Sequence, residues 1–177
     1  MSDLLKNIIR FALFILVQVF VLNQVPPLHR FVVPYLYYLF ILWLPFTLPR
    51  FWLSFISFLF GLTLDYFMNT PGLHAAACTL IAYIRPFTIN LLISQDGSDK
   101  NYPSPSVTSM GFAPYGTYVL ILTLFHHGLL IFLEWMSFGS FLFFIGKLLA
   151  TTGVSLLLIF LTELLFFRKE PFRTNTA

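Results

Sequence analysis

Apolar stretches long enough to cross a lipid bilayer recur along this chain, and they leave little room for anything else. A helical crossing needs about 20 mostly apolar residues at roughly 1.5 Å each. Candidate spans lie at residues 5–23, 31–48, 51–68, 73–93, 114–136 and 144–167. Pro26-Pro27 ends the first, because proline cannot donate to the helical ladder. The second is uncharged but carries Pro34 and Pro45 near its ends, which suits a short or kinked span. Asn69-Thr70-Pro71-Gly72 breaks the third from the fourth, and the fourth contains Arg85-Pro86. The expected fold is all-α: a single polytopic bundle of six transmembrane helices over residues 1–177, with a long loop at 94–113 and a short polar tail at 168–177.

Composition agrees. Charged residues make up 10% of the 177 residues and Phe alone occurs 23 times. Soluble domains carry about 25% charged residues. A soluble domain of this size could not hide so much apolar surface, whereas lipid is itself an apolar solvent. The basic residues form no stripe that would follow a nucleic-acid backbone, so no nucleic-acid partner is expected. One cysteine, Cys78, excludes an intrachain disulfide and any multi-cysteine metal site. Lys6, Arg10 and the run Phe11–Leu22 resemble a signal peptide, but Asn23-Gln24-Val25-Pro26-Pro27 offers no small-x-small cleavage site. An uncleaved first helix is the reading adopted.

The positive-inside rule gives an orientation. With the N-terminus in the cytoplasm, six spans place Lys6, Arg10, Arg50, Lys100, Arg168, Lys169 and Arg173 inside and only Arg30 and Lys147 outside. Arg85 falls in the inner half of span four. Five spans would put the tail and its three basic residues outside. Both termini and the long loop are therefore expected to be cytoplasmic.

Ionisable groups within a membrane are costly, so each needs a reason. Asp65, His74, Glu134 and Lys147 all fall near the outer ends of spans three to six. They are interfacial residues touching headgroups and water, or a structural polar cluster in which Asp65 pairs with a cation, or a ligand or ion site. Arg85 and the pair His126-His127 lie deeper. Adjacent histidines point about 100° apart on a helix, so only one is expected to face a given partner. They lack the i, i+4 spacing of H-E-x-x-H, and interhelical hydrogen bonding is expected rather than metal binding. Arg85 either bonds carbonyls loosened by Pro86 or snorkels inward. Small residues mark close helix packing. Span four offers Gly72, Ala75, Ala76 and Thr79, and span six offers Gly146, Ala150 and Gly153. These two helices are expected to be the most enclosed. No G-x-S-x-G, H-E-x-x-H or P-loop occurs, and Ser104 and Ser106 have no partner base, so neither catalysis nor a cofactor is expected.

Gly61-Leu62-Thr63-Leu64-Asp65 followed by Thr70-Pro71-Gly72-Leu73-His74-Ala75 resembles the most recognisable segment of MreD, the rod shape-determining membrane protein family. Arg85-Pro86, Pro103-Ser104-Pro105-Ser106, Met110-Gly111-Phe112, Phe125-His126-His127 leading to Phe132-Leu133-Glu134, and Thr162–Arg168 are similar to Bacteroidetes-type members. One departure is Pro71-Gly72-Leu73, where many relatives read Pro-Leu-Gly-Leu. The resemblance implies a non-catalytic scaffold or regulator of the cell-elongation complex in the bacterial inner membrane, supporting cell shape and side-wall peptidoglycan synthesis. It implies an MreC-like partner and, through it, MreB, RodA and the elongation transpeptidase. It also implies a fold like the six-helix substrate-binding subunit of energy-coupling-factor vitamin transporters. That fold leaves a second reading, a small-molecule-binding transporter subunit. Such subunits commonly dock through an Ala-x-x-x-Ala patch on their first helix, where this chain has a lone Ala12.

Overall fold

A computed structural model describes residues 3–25, 32–93, 102–134, 136 and 140–165. Its long helices are α1 (Asp3–Phe20), α3 (Arg50–Met68), α4 (Leu73–Leu92), α6 (Phe112–Glu134) and α7 (Phe141–Leu165). Two single-turn helices, α2 (Leu39–Leu42) and α5 (Val107–Met110), lie between them, and no strand occurs among the described residues. All five long helices have the length and apolarity to cross a membrane. Residues 94–101 of the expected loop and the tail at 168–177 lie outside the described residues. The remainder of that loop is partly helical, since α5 falls within it and α6 begins at Phe112.

The second expected span is not a membrane-crossing helix. Residues 32–36 have no regular secondary structure, 39–42 make one helical turn, and the chain stays irregular to Pro49. Proline explains this. Pro34, Pro45 and Pro49 lack the N–H a helix needs and bias Val33, Leu44 and Leu48 away from helical backbone. Between those blocks stand Tyr35, Tyr37 and Tyr38, whose rings lose rotamer freedom in a helix.

The segment still traverses the bundle. Phe11 packs on Phe60 at a ring separation of 5.0 Å, and Phe20 on Phe67 at 6.4 Å, so α1 and α3 run in the same direction. The chain between them must return. It starts beside Gln18 and Ser155 and ends where Phe46 N donates to Pro103 O at 3.0 Å. On the way it is the core of the protein: every residue from Tyr37 to Leu44 is buried, seven of the eight at 2% exposure or less. Phe14, Leu53, Phe60, Leu64, Ile81, Tyr115, Leu122 and Ile159 pack around it from all five long helices. We call the end carrying residues 69–72 the turn end and the end carrying Pro103 the loop end.

Non-helical backbone at membrane depth is tolerated only when protein supplies its hydrogen bonds. Here polar side chains on the helices do so. Gln18 is buried on α1; its Nε2 donates to Pro34 O and its Oε1 accepts from Leu36 N, both at 3.0 Å. Ser155 on α7 accepts from Tyr35 N at 3.2 Å. Tyr118 on α6 donates to Leu42 O at 3.0 Å, and Arg85 on α4 donates to Leu44 O. One polar group per helix would look like a defect in lipid; together they form the frame for the central segment.

The outward faces are apolar. Phe51, Trp52, Phe55, Phe58 and Tyr66 on α3 are exposed, as are Leu142, Leu149, Leu157 and Leu164 on α7. The α3–α4 hairpin is the tightest joint. A Cβ at Gly61 would lie 2.4 Å from Ala75 Cα and 2.7 Å from His74 O, and backbone cannot swing aside as a side chain can. Gly61→Ala is expected to cost about 2–3 kcal/mol and to lower the melting temperature of detergent-solubilised protein by roughly 4–12 °C. Unchanged melting would mean that the two helices separate freely.

Candidate functional site

The buried polar side chains fall into two layers along the central segment. The turn-end layer begins with Asp65. Both its oxygens are occupied: Oδ1 accepts from Thr70 Oγ1 and His74 N, and Oδ2 from Ala75 N, each at 2.9 Å. Helix α4 opens at Gly72 with φ +83°, and Gly72 has no side chain to satisfy the first free amides. The carboxylate of α3 caps α4 instead, where the helix dipole favours negative charge. Asp65 thus pairs with backbone N–H groups and a hydroxyl, and not with a cation, which was one of the alternatives for this layer. The reason is geometric: a four-residue turn brings the last turn of α3 onto the first turn of α4.

His74 is 1% exposed. Its imidazole lies in the core, where Nδ1 is 2.7 Å from Tyr37 Oη. The same hydroxyl lies 2.9 Å from His126 Nε2. His126 stacks on Tyr38 at a ring separation of 4.5 Å, and Tyr38 Oη bonds Thr123 Oγ1 at 3.0 Å. His127 faces α7, with Nδ1 3.3 Å from Thr152 Oγ1 and Nε2 3.5 Å from Ser155 Oγ. Both histidines of the pair are thus fully buried, and each hydrogen-bonds a different partner, His126 the central segment and His127 α7. Helix α6 is enclosed on two sides, so residues 100° apart both point into protein. Glu134 and Lys147 form an ion pair at the rim, with side chains 31% and 17% exposed. The four outer-layer residues do share one end of the bundle, but as two separate pairings.

The loop-end layer was legible only through Arg85. Its Nε donates to Tyr118 Oη at 2.9 Å and its guanidinium to Leu44 O. The carbonyl it serves belongs to the central segment, not to the turn loosened by Pro86, and α4 continues through Pro86 to Leu92. Glu163 on α7 accepts from Trp43 Nε1 at 2.7 Å and from Tyr115 Oη. Arg10 sits over the Trp43 ring, 5.6 Å from its centroid. Sequence reasoning gave no polar role to Gln18, Tyr37, Tyr118, Ser155 or Glu163. Each is a polar or phenolic side chain inside an apolar run, and that was the available signal.

Of the small residues expected at helix contacts, Ala75 makes the close approach to Gly61. Thr79 Oγ1 bonds Ala75 O within its own helix, and Ala76 N bonds Gly72 O. Gly72 serves by its left-handed backbone and not by contact, and a Cβ at Gly153 would meet nothing within 4 Å. Gly146 and Ala150 are half-buried. Helix α6, with nine buried residues, is more enclosed than α7, with five, so the expectation for span six is corrected. The crossing segment lies against α6, while α7 turns a broad face outward. Among the described residues no three His, Cys, Asp or Glu side chains group as metal ligands would.

Comparison with known proteins returned no match to a family model, to a curated protein or to a solved structure.

Proposed function

We propose that this chain is a non-catalytic scaffold of the MreD kind in the bacterial inner membrane. In this reading it belongs to the cell-elongation complex and helps organise side-wall peptidoglycan synthesis with an MreC-like partner. The observation that carries the reading is the filled centre. Tyr37–Leu44 occupies the interior, and polar side chains of the surrounding helices are committed to holding it there. A bundle plugged by its own chain offers its outer faces for binding, which suits a protein that works by contact with other membrane helices. The chain then crosses the bilayer six times, five times by helix and once by the central segment.

The alternative, a transporter subunit that captures a small molecule at the turn end, is motivated by Asp65, His74 and Glu134 sharing that end. The geometry favours the scaffold, because those groups are bound to α4 amides, Tyr37 and Lys147 respectively. Co-purification with an MreC-like protein, and loss of rod shape on depletion in a rod-shaped host, are the expected results. Normal shape and wall incorporation after depletion would overturn the scaffold reading. Thermal stabilisation by a vitamin would favour the transporter.

We also infer that the loop end is cytoplasmic, since Lys6, Arg10 and Arg50 lie at that end. A cysteine at exposed Pro71 is expected to react with a membrane-impermeant maleimide from outside the cell. One at exposed Arg50 should react only after permeabilisation, and buried Cys78 stays silent in both. The reverse labelling would invert the topology.

A further inference from the structure

Tyr37 Oη stands between two imidazoles, 2.7 Å from His74 Nδ1 and 2.9 Å from His126 Nε2. A phenol has one proton to donate. It can therefore donate to one histidine only, and the other must present its own N–H to the phenol oxygen. Two neutral arrangements follow. In one, His74 carries its proton on Nδ1 and donates to Tyr37, which donates to His126 Nε2, so His126 carries its proton on Nδ1. In the other, Tyr37 donates to His74 Nδ1, and both histidines carry their protons on Nε2. The two rings thus hold the same tautomer in either state.

The outer nitrogens, His74 Nε2 and His126 Nδ1, are buried and have no hydrogen-bond partner among the described residues. One of them is always a bare lone pair and the other an N–H. We propose that His74, Tyr37 and His126 form a proton-binding relay that takes up one proton and shares it between α4 and α6. Take the first arrangement. A proton arriving at His74 Nε2 makes that ring cationic. The Nδ1 proton then passes to Tyr37 as the Tyr37 proton passes to His126 Nε2. The positive charge now rests on His126, no heavy atom has moved, and every hydrogen bond of the chain persists. Loss of the His126 Nδ1 proton completes the step and leaves the second neutral arrangement. A second bound proton breaks the chain, because both imidazoles then donate to Tyr37 and its hydroxyl loses its acceptor.

The charged and titratable groups facing the relay come from each element packed around it. From α3 comes the Asp65 carboxylate, from α6 Glu134 and His127, from α4 Cys78, and from the central segment Tyr35 and Tyr38. Lys147 of α7 is drawn off by Glu134. The relay stands whether or not the chain is a scaffold, since it rests on the three side chains alone.

The test is nitrogen-15 NMR of histidine-labelled full-length protein in lipid nanodiscs, with His74 and His126 assigned from single His→Gln variants. The wild type is expected to show the same tautomer at both rings and, on acidification, one uptake step in which both sets of ring signals shift together. In Tyr37→Phe the two rings are expected to titrate independently. Opposite tautomers at the two rings in the wild type, or separate titration of the two there, would overturn the proposal. So would joint titration that survives in a folded Tyr37→Phe protein. The wild-type measurement decides the matter even where that variant does not fold.

Discussion

Asp65→Ala is expected to cost about 4 kcal/mol, from losing charge-assisted hydrogen bonds of roughly 1.5–3 kcal/mol each. The carboxylate holds His74 N and Ala75 N at 2.9 Å, and no other side chain caps the start of α4. Without it the N–H groups of His74 and Ala75, both about 1% exposed, are left buried and bare, which costs the full desolvation of each. Asp65→Asn separates capping from charge. Asparagine keeps one oxygen for His74 N or Ala75 N but turns an amide donor onto the other, so it should recover less than half of the loss. Thermal melting in detergent followed by near-ultraviolet circular dichroism measures both, with a drop of roughly 8–16 °C expected for Asp65→Ala. An Asp65→Ala protein that melts like the wild type would leave the hairpin held by Gly61–Ala75 packing alone. Wild-type-like melting of Asp65→Asn would show that charge contributes nothing at this cap.

Five of the six expected spans could be read from the chain because a long helix in lipid needs little beyond apolar length. The boundaries of α3 and α4 fell within two residues of expectation, since Pro49 and the turn at 69–72 punctuate both. The second span failed because hydropathy measures burial and not backbone shape. Residues 31–48 are as apolar as a helix facing lipid, yet Tyr37–Leu44 are buried in protein, where backbone of any shape can be satisfied. The correcting signal was present in two places. Pro34, Pro45 and Pro49 leave no stretch long enough for a crossing helix, and Gln18, Arg85, Tyr118 and Ser155 are spare hydrogen-bonding groups on the neighbouring spans. The outer polar layer was half legible. Position along each helix located Asp65, His74, Glu134 and Lys147 at one end, but pairing depends on rotation about the helix axis. Chains with α6 enclosed on one side or on both give the same sequence pattern, so the inward turn of both His126 and His127 could not be read from spacing.

Removing the Arg85 guanidinium is expected to cost about 3–5 kcal/mol, comparable to breaking a buried charged contact. Arg85 is 2% exposed, and its fork spans two acceptors, Tyr118 Oη and Leu44 O. Tyr118 in turn donates to Leu42 O at 3.0 Å. One side chain therefore fixes, directly or through Tyr118, two carbonyls on the stretch before Pro45. Those carbonyls have no following helical N–H to donate to them, because the chain cannot continue helically into proline. Arg85→Met keeps apolar volume and strips the donors, leaving Leu44 O bare. Arg85→Lys keeps the charge but offers a compact ammonium in place of a planar fork, so it should hold one acceptor and rescue only part of the loss. If Arg85 and Tyr118 act as one clamp, Arg85→Met and Tyr118→Phe must be non-additive. Each alone loosens the clamp, and the double variant should melt at least 1 kcal/mol less destabilised than the sum of the two. Additive losses would mean that Arg85 and Tyr118 hold the central segment independently. Full rescue by Arg85→Lys would mean that buried charge, and not the fork, is what α4 contributes there.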